Sequence, residues 1–280
     1  MTTHRTGAPG QVKEVTSLSN PLVKDIRALS VKKYRDQTGT FMAEGLKLVI
    51  EALDLGWTIR TLVIAKSGKA NPSVGKVAAR TVASGGLVLE VSEKVLTAIT
   101  RRDNPQAVIG VFEQHYRPLG EIRPRAGEVW LALDRVRDPG NLGTIIRTAD
   151  AVGAAGVILV GDTTDPYSLE AVRASMGSIF AVPIARASVE AFVDWRRTVG
   201  GFFVGTHLKG AVDYREVDYE PGPVVLLMGN EQQGLPDSLA EACDKLVLIP
   251  QAGRADSLNL SVATGVMLFE VRRKALKVGG

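Results

Sequence analysis

Five runs of almost unbroken apolar residues dominate the second half of the chain: VWLALD at 129–134, GVILVG at 156–161, FFVGTH at 202–207, PVVLLMG at 223–229 and KLVLIP at 245–250. A strand with one wet face alternates apolar and polar residues. Uniformly apolar runs are buried on both faces, which requires helices above and below a mostly parallel sheet. Helical patterns do separate these runs, so the spacing predicts an α/β fold. In such sheets ligands gather beyond the carboxyl ends of the strands, and that is where candidate chemistry is sought.

The first half reads as a smaller α/β unit. In SNPLVKDIRALSVKKYR, Ser19 or Asn20 can cap a helix with Pro21 at its first position, and Leu22, Val23, Ile26 and Leu29 recur at helical spacing. Lys24, Arg27, Lys32, Lys33 and Arg35 make that segment basic, and Arg101 and Arg102 follow in a later turn. From Phe41 onward come a helix in AEGLKLVIEALDLG, a strand TLVIA, a second helix, a strand GLVLEVS, a short helix SEKVLTAIT and a strand AVIGVFE. The prolines and glycines of QHYRPLGEIRPRAGE then break the pattern. The predicted division is a flexible tail over 1–16, a first domain over 17–114, a linker over 115–127 and a second domain over 128–280.

A length of 280 residues suits two domains, and 45% hydrophobic with 23% charged residues excludes a disordered chain. No apolar stretch long enough to span a bilayer occurs, and MTTHRTGAPGQ lacks the apolar core of a signal peptide, so a cytoplasmic protein without a membrane partner is expected. The single cysteine, Cys243, excludes an intramolecular disulfide. His4, His115 and His207 show no ligand spacing, so no metal is expected. A formal charge of +4 favours approach to polyphosphate without requiring it.

Three clusters fall at predicted strand ends. In the first, a strand ends at Asp134, a turn carries Asp138, Pro139, Gly140 and Asn141, and a helix runs through Arg147; Asn141 and Arg147 are expected to address one site. In the second, a strand runs into Gly229, Asn230 and Glu231, where glycine permits close approach of a ligand to the backbone. In the third, a loop leads to Ser257, Leu258 and Asn259 at the head of a long apolar helix, which Ser257 can cap. RASMGS at 173–178 adds Arg173.

DRVRDPGNLGTIIRTA, MGNEQQGLP and IPQAGRADSLNLSVATG, in this order, resemble the three motifs of the SpoU (TrmH) family of RNA ribose methyltransferases, and the resemblance covers residues 128–274. The segment 17–113, with FMAEGLKLVIEAL, resembles the ribosomal-protein-like RNA-binding domain that often precedes that unit. The resemblance implies a C-terminal parallel-sheet domain with a trefoil knot, S-adenosylmethionine as cofactor, structured RNA as substrate, and a homodimer whose active site draws on both subunits. It implies catalytic roles for Arg147, Asn141, Glu231, Ser257 and Asn259. Cofactor contacts are implied at Gly229, Ile249 and Leu258, at Thr206, His207 and Leu208, and at Glu231 and Gln251. Gln251 departs from the methionine usual there. Lys24, Arg27, Lys32, Lys33, Arg35 and Arg173 are the expected RNA-binding residues.

Methyl transfer to a hydroxyl is an in-line displacement, in which positioning can supply roughly 7–11 kcal/mol of barrier reduction. Arginine is proposed as base in the family, but a guanidinium with a pKa above about 12 has no acceptor when charged. Arg147 is therefore expected to polarise the hydroxyl and anchor a neighbouring phosphate. Ribosomal RNA is the first expected target and transfer RNA the second. A drug-resistance methyltransferase of the same build is not separable by sequence. A non-catalytic RNA-binding factor predicts loss of Asn141, Arg147 or Asn259, and all three are present. A nucleotide hydrolase would need a P-loop or metal carboxylates, and neither is visible.

Overall fold

The computed structural model describes residues 10–207, 211–220, 222–230, 234–254 and 257–277. These form two units, one running to Gln114 and including Tyr167–Arg173, the other holding His115–Pro166 and the chain from Ala174 onward.

In chain order the first unit comprises β1 (Gln11–Val15), α1 (Pro21–Ala28), α2 (Lys32–Thr38), β2 (Thr40–Glu44), α3 (Leu46–Asp54), β3 (Ile59–Ala65), α4 (Pro72–Ala83), β4 (Leu87–Val91), α5 (Glu93–Thr100) and β5 (Val108–Glu113). Its sheet has the order β1-β4-β3-β5-β2, with β1, β4 and β3 parallel to one another and β5 antiparallel to both β3 and β2. Asn20 caps α1 by accepting from the Leu22 amide at 3.0 Å, and Pro21 supplies the preset first turn. Val23, Ile26 and Leu29 are thereby aimed at Val95, Leu96 and Ile99 of α5 and at Leu89 and Val91 of β4. Each such side chain, fully buried, is worth roughly 1.5–3 kcal/mol.

Several expectations change here. Residues 11–15 are an edge strand paired with β4, not part of a tail; four of the five are exposed, so no apolar pattern marks them. The single basic helix is two helices, broken at Val31, whose backbone is extended (φ −105°, ψ 130°), and Arg35 of the second is buried at 3% exposure and donates from Nη1 to the Leu29 carbonyl at 2.7 Å, serving the end of α1. Arg35 is thus a structural residue and leaves the RNA-binding set. The strand β2 precedes α3 where one helix was expected. Tyr167–Arg173 belongs to the first unit: the Tyr167 ring lies 4.5 Å from that of Phe41, so the second domain is not continuous from 128.

The second unit follows with β6 (Val129–Asp134), α6 (Pro139–Ala151), β7 (Gly156–Val160), α7 (Leu169–Ala174, whose residues to Arg173 count with the first unit), α8 (Ser178–Ala181), β8 (Ile184–Ala187), α9 (Val189–Thr198), β9 (Phe202–Thr206), β10 (Val212–Asp213), β11 (Val224–Met228), α10 (Asp237–Glu241), β12 (Lys245–Leu248) and α11 (Leu260–Val271). All seven strands run parallel in the order β10-β12-β9-β11-β6-β7-β8. The chain builds outward from β6 through β7 to β8, then crosses to the other side, so the winding direction reverses beside β6 and β11. The expected linker is part of this unit: Ile122 is fully buried, and its carbonyl accepts from Trp195 Nε1 at 3.2 Å. Its prolines and glycines shape a surface crossing that one apolar side chain anchors.

Candidate active site

The carboxyl ends of β9, β11 and β12 open onto one cavity of about 430 Å³, lined from β9 by Thr206 and His207, from β11 by Met228, Gly229 and Asn230, and from β12 by Val247, Leu248 and Ile249. Gln251, Ser257, Leu258, Leu260 and Ala263 close it from the final loop and α11. The volume falls in the roughly 300–1,000 Å³ range of small-molecule sites, and the apolar wall with a few polar groups suits a flat heterocycle held by its edges.

Beyond β11, Asn230 and Gly234 lie against each other. The Gly234 amide donates to the Asn230 carbonyl at 2.9 Å, and a Cβ on Gly229 would lie 2.4 Å from the Gly234 carbonyl carbon. Asn230 Nδ2 in turn donates to the Arg135 carbonyl at 3.0 Å. Arg135 sits in the left-handed region (φ 49°) with its guanidinium on the buried Asp134 carboxylate at 2.9 Å, so the ends of β6 and β11 are tied together.

The first and third clusters meet through one side-chain bond. Asp138 caps α6 by accepting from the Asn141 amide at 2.6 Å, which sets Asn141 in the helix's first turn. Asn259 Nδ2 donates to Asn141 Oδ1 at 3.0 Å, while Asn259 Oδ1 accepts from the Ser261 amide at 2.9 Å and caps α11. The cap of α11 is therefore Asn259 and not Ser257, which instead faces the cavity. Asn259→Ala is expected to cost about 1 kcal/mol, seen as a fall of about 2–4 °C in melting temperature. Asn259→Asp keeps the cap acceptor and loses only the donor to Asn141, so it is expected to lose less than the alanine variant; an alanine variant with an unchanged melting temperature would show that the Asn259 cap does not hold α11.

Of the expected cofactor residues, Thr206, His207, Gly229, Ile249, Gln251 and Leu258 border the cavity; Leu208 and Glu231 lie outside the described residues. Of the expected catalytic residues, Ser257 borders it and Asn141 and Asn259 are bonded to each other. Arg147 is exposed on α6, does not border the cavity, and among the described residues its guanidinium has no hydrogen-bond or ion-pair partner. Six residues on from Asn141 is about 240° around a helix, so the two side chains do not share a face. Asn230, Leu235 and Asp237, also in the wall, were not among the expected site residues, although Asn230 adjoins Gly229 at a strand end.

Elsewhere, Lys24, Lys32 and Lys33 are exposed, Lys32 paired with Asp36 at 3.0 Å. Arg27 is half-buried, and Arg173 is 2.9 Å from Glu44. Burial pushes the Cys243 thiol up to about 12, which keeps it protonated. Among the described residues no group of three His, Cys, Asp or Glu side chains is placed to hold a metal, and no helix is long and apolar enough to cross a membrane.

Residues 128–269 match the SpoU rRNA Methylase family, and residues 20–110 match the MRM3-like substrate binding domain. The AdoMet-bound rRNA methyltransferase from Sinorhizobium meliloti is 68% identical with a TM-score of 0.92, the match covering 96% of this chain and 100% of that one. The 23S rRNA (guanosine(2553)-2'-O)-methyltransferase of Bacillus subtilis is 33% identical over 261 residues, 93% of this chain and 100% of the relative. The 23S rRNA (uridine(2479)-2'-O)-methyltransferase of Streptomyces viridochromogenes is 34% identical over 259 residues, 89% and 88% respectively.

Proposed function

We propose, from the premise that the chain belongs to the SpoU rRNA methylase family, that it transfers a methyl group from S-adenosylmethionine to a ribose 2′-hydroxyl of structured RNA, ribosomal RNA ahead of transfer RNA. The observation that carries this reading is the convergence of Gly229, Ile249 and Leu258 on one cavity beyond the carboxyl ends of the parallel strands β9, β11 and β12. Backbone groups of these three residues, with Thr206 and His207, would hold the cofactor. Gly229, Asn230 and Gly234 present main chain to the cavity, against which an adenosine edge would lie.

S-adenosylmethionine, when bound, supplies a methyl group made electrophilic by its sulfonium. The chain's task is to bring the ribose oxygen into line, exclude water and help the hydroxyl proton leave. Arg147 polarises that hydroxyl and grips an adjacent phosphate. Asn141, Asn259, Ser257 and Glu231 fix the substrate around it.

The proposal includes a homodimer. Arg147 stands outside its own cavity wall, and a second copy would carry an arginine to it. Support comes from α11, which is apolar around its circumference and leaves Val262 and Phe269 each 52% exposed on one face, two turns apart. The family's trefoil knot belongs to the same reading, with the packing of α11 against α6 and β11 in its favour. The first unit is read as the RNA-binding part, with Lys24, Arg27, Lys32, Lys33 and Arg173 on it and the cytoplasm as its compartment.

Two measurements test this. Calorimetry on the purified chain is expected to show saturable S-adenosylmethionine binding, and total RNA from cells lacking the gene is expected to lose a ribose methylation in ribosomal RNA. Loss confined to transfer RNA would transfer the assignment to that substrate. Failure to bind the cofactor would end it.

A further inference from the structure

At the end of α5 in the first unit, arginines crowd around a single buried carboxylate. The Glu44 side chain is only 5% exposed. Its Oε1 accepts from the Gln106 amide at 2.9 Å, and its Oε2 accepts from Arg173 Nη2 at 2.9 Å and from Arg102 Nη1 at 3.4 Å. Arg173 also reaches the Thr100 carbonyl at 3.5 Å, and its buried Nε has no hydrogen-bond partner. One carboxylate therefore holds two guanidiniums, and one positive charge is left over.

Arg101 adds to it. It closes α5 in the left-handed conformation (φ 55°, ψ 39°), a position that glycine fills at low cost and other residues fill with strain. Its side chain is exposed and, among the described residues, makes no hydrogen bond or ion pair. Strain accepted at a residue whose side chain holds nothing else among the described residues points outward. Asp103, exposed on the same loop, offsets one charge and leaves the cluster net positive.

We infer that Arg101, Arg102 and Arg173, organised by Glu44, form a contact surface for the phosphodiester backbone of the RNA substrate. This rests on the reading of the first unit as RNA-binding and specifies where on that unit the backbone lies. Arginine forks match phosphate oxygens in pairs. A carboxylate behind two of them fixes their direction before RNA arrives, which lowers the entropy lost on binding.

The test uses the full chain and a fluorescently labelled RNA hairpin of arbitrary sequence, since phosphate contacts are sequence-independent. Its Kd is measured at several salt concentrations between roughly 50 and 200 mM. Arg101→Gly suits the backbone conformation, so it keeps the fold, and Arg102→Gln keeps most of the side-chain length. Each is expected to weaken binding and to lower the slope of log Kd against log salt by about 0.9, the double variant by about twice that, with S-adenosylmethionine affinity unchanged. Slopes equal to that of the parent chain overturn the surface while leaving the methyltransferase reading intact. A parent chain that does not hold the hairpin overturns both the surface and the RNA-binding reading of this unit. Displacement of the hairpin by inorganic phosphate beyond the effect of chloride at equal ionic strength would make the cluster a free-phosphate site and overturn it as an RNA surface.

Discussion

Arg147→Lys is expected to lower kcat/KM for ribose methylation about a hundredfold, the scale of losing one preorganised donor from a reacting centre, and to leave the Kd for S-adenosylmethionine within about twofold. The reasoning begins with what a guanidinium can do. It stays charged at any working pH and offers five donors in a planar fork, so it can hold a hydroxyl and a neighbouring phosphate together. Lysine keeps the charge and loses the fork, so a loss on this substitution separates geometry from charge. Single-turnover methylation with enzyme in excess reads the chemical step, and calorimetry reads the cofactor. Turnover near that of the parent chain would remove Arg147 from the mechanism. A parallel loss of cofactor affinity would mean that Arg147 shapes the cavity, which its exposed position on α6 argues against.

The legibility of this chain follows from where its side chains go. VWLALD, GVILVG, FFVGTH, PVVLLMG and KLVLIP are readable because burial on both faces leaves an unmistakable composition, and each became a strand of the seven-stranded sheet. QVKEV and IARA were missed because β1 is largely exposed and β8 is half so, and at such strands hydrophobic pattern carries little information. The rule that ligands gather at strand ends in α/β sheets points to the clusters at Gly229 and at Ser257–Asn259, but that Gly229, Ile249 and Leu258 share one cofactor site is implied by the family resemblance and by no spacing in the sequence. The Asn141–Asn259 bond joins residues 118 positions apart, and no local spacing encodes it. Arg35 shows the converse error. Its charge and helical neighbours suggested a solvent-facing contact, yet its fork closes the end of the preceding helix. Formal charge in a sequence does not distinguish a guanidinium offered to a ligand from one spent on a backbone carbonyl.

Gly229→Ala is expected to weaken S-adenosylmethionine binding at least about a hundredfold, equivalent to about 2.7 kcal/mol, because the added methyl has nowhere to go. A Cβ there would lie 2.4 Å from the Gly234 carbonyl carbon and 2.5 Å from the Leu235 amide nitrogen, and both are backbone atoms in the turn that borders the cavity. Relief requires the turn to open, which takes the Asn230–Gly234 bridge with it. Gly234→Ala is the informative contrast. Its Cβ would meet nothing within 4 Å, but its φ of +66° lies in the left-handed region, so it carries a backbone penalty of roughly 1 kcal/mol and a smaller loss of affinity. Calorimetry with melting temperatures for both variants tests the ordering; equal cofactor affinity in Gly229→Ala and the parent would show that this turn is not part of the binding wall. The same variant decides how the site is shared. If Arg147 acts at the cavity of a second copy, Arg147→Lys and Gly229→Ala chains mixed and allowed to exchange subunits regain activity. Half of the pairs are mixed and each has one intact site, so about a quarter of the parent activity returns. No recovery despite demonstrated exchange would confine Arg147 to its own chain.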